Sequence, residues 1–493
     1  MMLNKALSLL VFSMIILDCN SNKTIGYNKK VAKVFYQENL DNYLFDTSFL
    51  KELEKRSEDE LREKGMQIID KKHFSSWEDC QFNTNDYQYF LIRPGDYRSW
   101  GTLSLEQSGT KAKKRVICYY NPTQAASFIE EHPAQRAKSS RELIIESINL
   151  SSASHWIIHG LTFRGHSQVS SSGVIGGESN RINANSNHNV IDKCLFEEVA
   201  KKGTLRINWS NYNTIQNCVI RNAIPNPKAD NIGIGVKGGN LNAIGNRIIN
   251  NEIYDCTDGV QLVYNKKTVR NGYTPGTIVA NNDIYLTEKM YRNTPNGQFA
   301  CAENAIDVKV GGRYDSPEEY VHIVNNRIWG FRATDTSCGG SGSSGKAIGT
   351  HMKANYIYIK NNTIFDCNDG IHLAAILDTT TAKMKIYADN NTIKDIRART
   401  DSRKKSCAFR VNISTNLTNN TIENVDYAIV AGSKNVDTIL LENNIVLNAK
   451  VKVRASKKTR IQEVSNLWIE QSEQAPKNKT DFYIGKWTGR TQK

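Results

Sequence analysis

Short apolar runs separated by polar residues recur along most of this chain of 493 residues. From about residue 87 the runs are rich in β-branched residues, are punctuated by Asn and Gly, and lack helical periodicity. Nine of them share one motif, an amide or Cys pair between apolar residues. The second member of the pair falls at positions 194, 218, 251, 282, 326, 362, 391, 420 and 444.

This repeat predicts an all-β fold, a right-handed parallel β-helix of about ten coils over residues 87–450. The shortest spacing, 24 residues, suits a coil of three short strands, and stacked coils share one continuous core. Asn suits the inward corners, since it tolerates left-handed backbone and its amide can hydrogen-bond to the next coil. A β-sandwich would need hairpin turns roughly every 8–12 residues. The Asn-Gly dipeptides typical of such turns occur only at 271–272 and 296–297, within insertions, so the solenoid is favoured.

Three segments flank the predicted solenoid. Residues 1–19 are typical of a signal peptide, because Lys5 precedes an apolar stretch of 12 residues, too short to span a bilayer. Residues 20–86 predict a helical N-terminal segment, with a capping box in "SEDE" at 57–60 and a stop at Gly65. Residues 451–493 are expected to form a basic C-terminal tail or cap.

Cys19 stands two residues after the end of the apolar stretch, a placement that resembles a bacterial lipoprotein signal. Asp18 departs from that pattern, since a small residue is usual there. Two locations therefore stay open. The protein is either secreted, or anchored as a periplasmic or outer-surface lipoprotein through a lipidated Cys19.

A second strand follows the amide pairs, with the pattern small–apolar–X–apolar–X, in which the X side chains point outward and stack between coils. The first outward column reads Arg206, Gly235, Gln261, Asp307, Gly349, His372, Arg410 and Val430. The second column reads Asn208, Lys237, Val263, Lys309, His351, Ala374, Asn412 and Gly432. A face kept only for solubility would favour Glu, Lys, Thr and Ser. Two His and two Arg among glycines predict a functional groove instead, the alternatives being a coincidental polar face or one coated by a loop.

Charge narrows the choice of partner for this groove. The formal net charge is +14, which attracts nucleic acid, anionic membranes or acidic polysaccharide. The groove has few aromatic residues on which bases could stack and the chain is expected to be exported, so nucleic acid is not expected. We expect a monomer that acts on an acidic polysaccharide.

Acidic residues stand just before several of these strands. Asp258 and Asp369 each precede a Gly, which is ordinary turn chemistry. Glu303, Asn304 and Asp307 differ, because together they could share an oxygen-ligated cation such as Ca²⁺.

The groove suits β-elimination from a uronic-acid polymer. That reaction needs the substrate carboxylate neutralised by Ca²⁺ or Arg, a base for the C5 proton, and an acid or water for the O4 leaving group. Lys309 is the candidate base and His351 the second candidate. Nearby cations would lower the pKa of Lys309, whereas Asp307 would raise it unless a metal occupied that carboxylate. Arg410 is the third candidate catalytic residue, and it could bind the substrate carboxylate bidentately. The candidate substrate-binding residues are Lys237, Gln261, His372, Arg206 and Arg332, the last of which could also make a bidentate contact with carboxylate.

The stretch "ENAIDVK" at 303–309 resembles two families of β-helix polysaccharide lyases. The chondroitinase B and alginate lyase family carries acidic residues shortly before a catalytic Lys, with an Arg one coil later. The family 9 pectate lyases carry Ca²⁺ ligands spaced D-D-x-x-D, which Glu303, Asn304 and Asp307 match as E-N-x-x-D. The departures are that only one of the paired Glu ligands is matched, and that His351 and Ala374 stand where the family 9 Lys would lie. The resemblance therefore implies the lyase superfamily, over roughly residues 87–450, and neither family.

Three other functions stay open at this point. A β-helix glycoside hydrolase would want paired catalytic carboxylates, and the groove strands offer only Asp307. A mannuronan C5-epimerase would use similar proton abstraction. A non-catalytic glycan-binding or adhesion solenoid would need none of the chemistry at Lys309.

Overall fold

The computed structural model describes residues 44–121, 132–136, 142–165, 178–182, 185–198, 203–221, 231–238, 243–264, 273–287, 290, 302–332, 345–375, 385–397, 406–432 and 436–470. These residues form three ladders of parallel strands, visited in turn by each coil of the chain. The predicted parallel β-helix is confirmed. The signal segment 1–19 and Cys19 lie outside the described residues.

Each ladder contains one strand from each coil it crosses. Ladder 1 has fourteen strands: Met66–Ile69, Tyr89–Ile92, Arg115–Tyr119, Trp156–His159, Val190–Asp192, Thr214–Gln216, Arg247–Ile249, Ile278–Ala280, Val321–Val324, Ile357–Lys360, Ile386–Asp389, Thr415–Thr418, Thr438–Glu442 and Arg460–Val464. Ladder 2 contains Gly95–Asp96, Leu143–Ile145, Thr162–Arg164, Leu195–Glu197, Val219–Arg221, Glu252–Tyr254, Asp283–Tyr285, Arg327–Trp329, Thr363–Phe365, Thr392–Lys394 and Leu467–Ile469.

Ladder 3 carries the predicted groove. Its strands are Thr102–Leu105, Ser147–Leu150, Glu178–Ile182, Gly203–Asn208, Ile232–Gly238, Asp258–Tyr264, Asn304–Val310, Lys346–Lys353, Asp369–Leu373 and Cys407–Val411. Two long strands, Thr421–Ala431 and Ile445–Arg454, belong to ladder 2 in their first half and to ladder 3 in their second half.

The core is the interior of the solenoid. The middle residue of most ladder 1 strands points inward, so β-branched side chains stack on one another from coil to coil. Representative members, all fully buried in one continuous cluster, are Ile158, Ile191, Ile215, Ile248, Val279, Ile323 and Ile359.

The two residues of each amide pair have separate structural roles. The first member adopts left-handed backbone, with φ near 55° at Asn281, Asn325 and Asn361. The second member points inward, and its Oδ1 accepts hydrogen bonds from the backbone and side-chain N–H groups of the Asn one coil earlier. The ladder of these bonds runs through Asn251, Asn282, Asn326, Asn362, Asn391, Asn420, Asn444 and Asn466. The predicted coil-to-coil amide contact is confirmed.

The short helices lie mainly at the N-terminal end. They are the α-helices Lys51–Glu54, Glu58–Glu63 and Pro133–Arg136 and the 3₁₀ helices Ser48–Leu50, Arg98–Trp100 and Pro317–Glu319. Ser57 and Glu60 form the predicted capping box, and Gly65 follows in left-handed backbone. Leu50, Leu53 and Leu61 pack in one cluster with outward residues of the first ladder 1 strands. No helix among the described residues is long and apolar enough to cross a membrane.

The solenoid is longer than the sequence predicted. Its first strand, Met66–Ile69, pairs with Tyr89–Ile92. Its last strand, Leu467–Ile469, lies in the segment expected to be a tail or cap and pairs with Ile445–Leu447. The strands therefore extend on both sides of residues 87–450. The reason is that the terminal coils lack the amide pair by which the repeat was recognised. The last coil has only the second member of such a pair, Asn466, which follows Ser465.

Candidate functional site

The outward face of ladder 3 brings most of the predicted groove residues together. The observed pairing follows the whole predicted first column, from Arg206 opposite Gly235 to Arg410 opposite Val430. The face is more buried than an open groove. Arg206, Gln261, Asn304 and Asp307 are almost completely buried. The accessible side chains lie further along the strands.

Asp307 is the centre of a polar cluster on this face. Its Oδ1 lies 2.5 Å from Nε2 of His351, and its Oδ2 lies 2.8 Å from Nζ of Lys309. Nε2 of Gln261 donates to the same Oδ2 at 3.2 Å. The Asp307 side chain is 0% exposed, whereas Lys309 and His351 are 14% and 35% exposed. The carboxylate is thus a buried anchor that holds two cationic or basic groups at the surface.

A β-bulge brings His351 to this carboxylate. Val308 pairs with Thr350, but Val310 pairs with Lys353, so the strand Lys346–Lys353 contains one extra residue. Met352 takes the left-handed backbone, with φ of 57°. Bulges of this kind re-aim side chains and are frequent beside active sites. The simple column alignment placed His351 beside Lys309, whereas the structure places it on Asp307.

The charges in this cluster stabilise each other. Burial would raise the pKa of Asp307, but the His351 hydrogen bond and the Lys309 charge outweigh burial and hold that pKa below its usual value. Burial would lower the pKa of Lys309, but the Asp307 carboxylate, with smaller contributions from Asp258 and Glu303, raises it. Lys309 is therefore held as an ammonium ion and is poorly suited to remove a proton.

The ionised Asp307 also fixes the proton on His351. An ionised carboxylate only accepts hydrogen bonds, so Nε2 of the neutral ring must carry the proton. Nδ1 is then the basic nitrogen of His351. A histidine oriented in this way by a buried carboxylate is the arrangement expected of a general base.

Asp258 supports the cluster from the preceding coil. Its Oδ1 accepts from the backbone N–H of Asn304 at 3.1 Å, and its Oδ2 accepts from Nε2 of Gln261 at 3.0 Å. The Gln261 amide therefore bridges the carboxylates of Asp258 and Asp307. Sequence reasoning assigned Asp258 to turn chemistry because of the Gly that follows it. The signal that would have identified it is its register, one coil before Asn304.

The side-chain contacts of Asp307 compete with the cation predicted to bind Glu303, Asn304 and Asp307. The side-chain Oδ1 of Asn304 is buried without a hydrogen-bond donor, which would suit a ligand. Both oxygens of Asp307, however, contact Lys309 or His351, and a positively charged partner there opposes a divalent cation. Across the described residues, no group of three or more His, Cys, Asp or Glu side chains is placed to hold a metal ion.

A second ion pair lies further along ladder 3. Arg410 donates from Nε and Nη2 to the two oxygens of Asp369, at 2.9 and 3.0 Å. Nε2 of His372 lies 2.9 Å from Nδ2 of Asn412, within hydrogen-bond distance. The predicted carboxylate-binding Arg410 is thus already bound to a protein carboxylate. Asp369, like Asp258, was assigned only to a turn.

The remaining predicted residues lie at the edges of this face. Arg206 extends over Gly235, where an added Cβ would collide with its Nη1. That glycine therefore leaves room for a neighbouring side chain and not for solvent. Lys237 is half-buried at the end of its strand, with its Nζ 5.1 Å from the ring centre of Trp209. Arg332 is not on ladder 3, because it follows the ladder 2 strand Arg327–Trp329 and pairs with Asp366.

Comparisons with known proteins find similarity in structure alone. No protein-family model and no curated protein matches the chain. An alginate lyase from Paenibacillus sp. is similar with 13% identity and a TM-score of 0.36, over 77% of this chain and 91% of that one. Pectate lyase Pel9A is similar with 12% identity and a TM-score of 0.33, over 76% of this chain and 70% of that one. The catalytic domain of a GH87 alpha-1,3-glucanase is similar with 12% identity and a TM-score of 0.42, over 82% of this chain and 69% of that one. At these TM-scores the likeness carries no argument about activity.

Proposed function

We propose that this protein is a polysaccharide lyase that cleaves an acidic, uronic-acid-containing polymer by β-elimination on the outward face of ladder 3. The observation that carries the proposal is the cluster in which Asp307 contacts Lys309 and His351 through different oxygens. The cluster combines an oriented base with a permanent positive charge. Those are the two groups that removal of a proton beside a carboxylate requires.

The proposed step assigns one role to each side chain. Nδ1 of His351 takes the C5 proton, the C5–H electron pair forms the C4=C5 double bond, and the C4–O4 bond breaks. The ammonium of Lys309 stabilises the negative charge that develops on the substrate carboxylate. A proton from water completes the O4 leaving group. Asp307 stays ionised throughout and orients His351.

This assignment exchanges the roles expected from the sequence, where Lys309 was the first candidate base. The raised pKa of Lys309 favours its ammonium form. That charge neutralises the substrate carboxylate, the role that the sequence assigned to Ca²⁺. Calcium dependence stays a prediction, which assays with added Ca²⁺ and with chelator test. Arg410, His372 and Lys237 stay candidate substrate-contacting residues, whereas Arg206 and Gln261 are almost completely buried.

The experiment follows absorbance near 235 nm, where the unsaturated product absorbs. Purified protein would be incubated with alginate, polygalacturonate, chondroitin sulfate, dermatan sulfate and heparin-type chains. We expect a rise on one polymer that is lost in His351→Ala and in Lys309→Ala. Lys55→Ala is the matched control, because Lys55 is a well-exposed lysine in the N-terminal helical region. A rise that survives His351→Ala would overturn the assigned base.

Other outcomes point to the alternative functions. New reducing ends without a rise in absorbance would indicate a glycoside hydrolase, although the lowered pKa of Asp307 argues against its use as the acid. Exchange of the C5 hydrogen without cleavage would indicate an epimerase. Binding without any product would indicate an adhesion protein.

The proposed location is outside the cytoplasm, because an acidic polysaccharide of this kind is an extracellular substrate. The leader at 1–19 supports export, and Cys19 supports a lipid anchor. Radiolabelled palmitate should enter the protein and be lost in Cys19→Ser if the anchor is present. Its absence, with protein in the medium, would establish secretion.

A further inference from the structure

Trp209 stands at a corner of the solenoid beside the proposed site. It directly follows the ladder 3 strand Gly203–Asn208 and has left-handed backbone, with φ of 52°. The same left-handed backbone recurs at other corners of the solenoid, among them Tyr212 and Tyr356. The indole is half-buried, so part of it reaches the surface.

A lysine from the next coil lies against this indole. Lys237 pairs with Asn208 across the two strands, and its backbone oxygen accepts from the N–H of Trp209 at 3.0 Å. Its Nζ lies 5.1 Å from the ring centre, within the range of a cation–π contact. An apolar ring and an ammonium group are thus held together at one point of the surface.

Trp209 and Lys237 lie at the same end of the ladder 3 strands as the cluster of Asp307, Lys309 and His351. Lys237 pairs with Val263, and the strand of Val263 pairs in turn with the strand of Lys309. Two coils separate the two lysines, a distance of about 10 Å along the solenoid axis. A polymer lying along the axis can therefore contact both places at once.

We propose that Trp209 and Lys237 form a subsite for an anionic sugar, separate from the place of cleavage. The indole stacks on the apolar C–H face of the sugar ring, and the ammonium of Lys237 pairs with its carboxylate. The proposal rests on the proposed function for the class of polymer. It adds Trp209, which takes no part in the chemistry, as a residue that selects and holds the chain.

Binding without turnover tests the subsite. Affinity electrophoresis in the His351→Ala background would measure binding to alginate and polygalacturonate, whose only charges are carboxylates, and to a carboxyl-reduced, neutral form of the polymer bound best. We expect Trp209→Ala to weaken binding of both forms about tenfold. Lys237→Met should weaken only the acidic form. Tyr212→Ala, which removes another exposed ring, should change neither.

The outcomes separate this inference from the proposed function. Wild-type binding by Trp209→Ala, an equal effect of Lys237→Met on both forms, or no binding to any acidic polymer would overturn the subsite. If Trp209→Ala lowers the melting temperature, Trp209→Phe decides, since Phe keeps a stacking face: retained binding supports the subsite and lost binding overturns it. Because no turnover is measured, the subsite can stand even if the cleavage is not an elimination.

Discussion

Substitutions in one amide pair should separate the two roles that its asparagines play in this fold. Asn362 is buried, and its Oδ1 accepts from the backbone and side-chain N–H groups of Asn326, each at 3.0 Å. Its Nδ2 donates to the backbone oxygen of Ile323 at 2.9 Å. Asn362→Ala would leave that oxygen and the Asn326 backbone N–H buried without these partners. At about 1–3 kcal/mol for each orphaned group, the loss should be about 2–6 kcal/mol.

Asn361 is the matched control, one residue earlier. It is exposed and has φ of 55°, a conformation that Gly adopts freely. Asn361→Gly should therefore cost less than about 1 kcal/mol. Urea unfolding of both variants, followed by far-UV circular dichroism, measures the difference. Equal losses in the two variants, or a larger loss in Asn361→Gly, would refute the division of roles.

Three further predictions concern pH and packing. Burial lowers the pKa of His322 to about 4, so the folded protein keeps this ring neutral while the unfolded chain protonates near pH 6.5. The free energy of unfolding should therefore fall by about 2–3 kcal/mol from pH 7 to 4.5, and His322→Gln should reduce this pH dependence in urea unfolding. Trp329 stacks between Tyr285 and Phe365, with ring-centre distances of 4.3 and 5.5 Å. Trp329→Ala should lower the free energy of unfolding by about 2–4 kcal/mol and Trp329→Phe by clearly less, and equal melting temperatures of the two variants would contradict the stack. Asp307→Asn removes the charge that raises the pKa of Lys309, so the alkaline limb of the rate–pH profile should move to lower pH; an unmoved limb would mean that Lys309 does not set it.

The repeat was predictable because each coil repeats one local requirement. A left-handed corner and a buried amide must recur wherever the chain turns inward, so the spacing of asparagines reveals the coils even when insertions separate them. The first outward column followed from the same alternation, and Gln261, Asp307 and His372 lie in the register that it predicts. The end coils could not be found in this way, because their corners lack the amide pair.

The site was less predictable because its geometry depends on features that alternation cannot show. The extra residue at Met352 directs His351 toward Asp307. An alignment of the repeats assumes one residue per strand position, so it cannot locate such an insertion. Asp258 and Asp369 looked like turn residues because local chemistry explains an Asp before a Gly. Only the neighbouring coil reveals that Asp258 supports the cluster and that Asp369 binds Arg410.

The most direct test of the proposed elimination is the mass of the products. The polymer that the protein degrades would be digested in H₂¹⁸O, and the oligosaccharides would be analysed by mass spectrometry. Elimination predicts a new non-reducing end that is unsaturated and lighter by one water, with no ¹⁸O incorporated during cleavage. Saturated products that carry ¹⁸O at the cleaved bond would show hydrolysis and would contradict the roles assigned to His351 and Lys309.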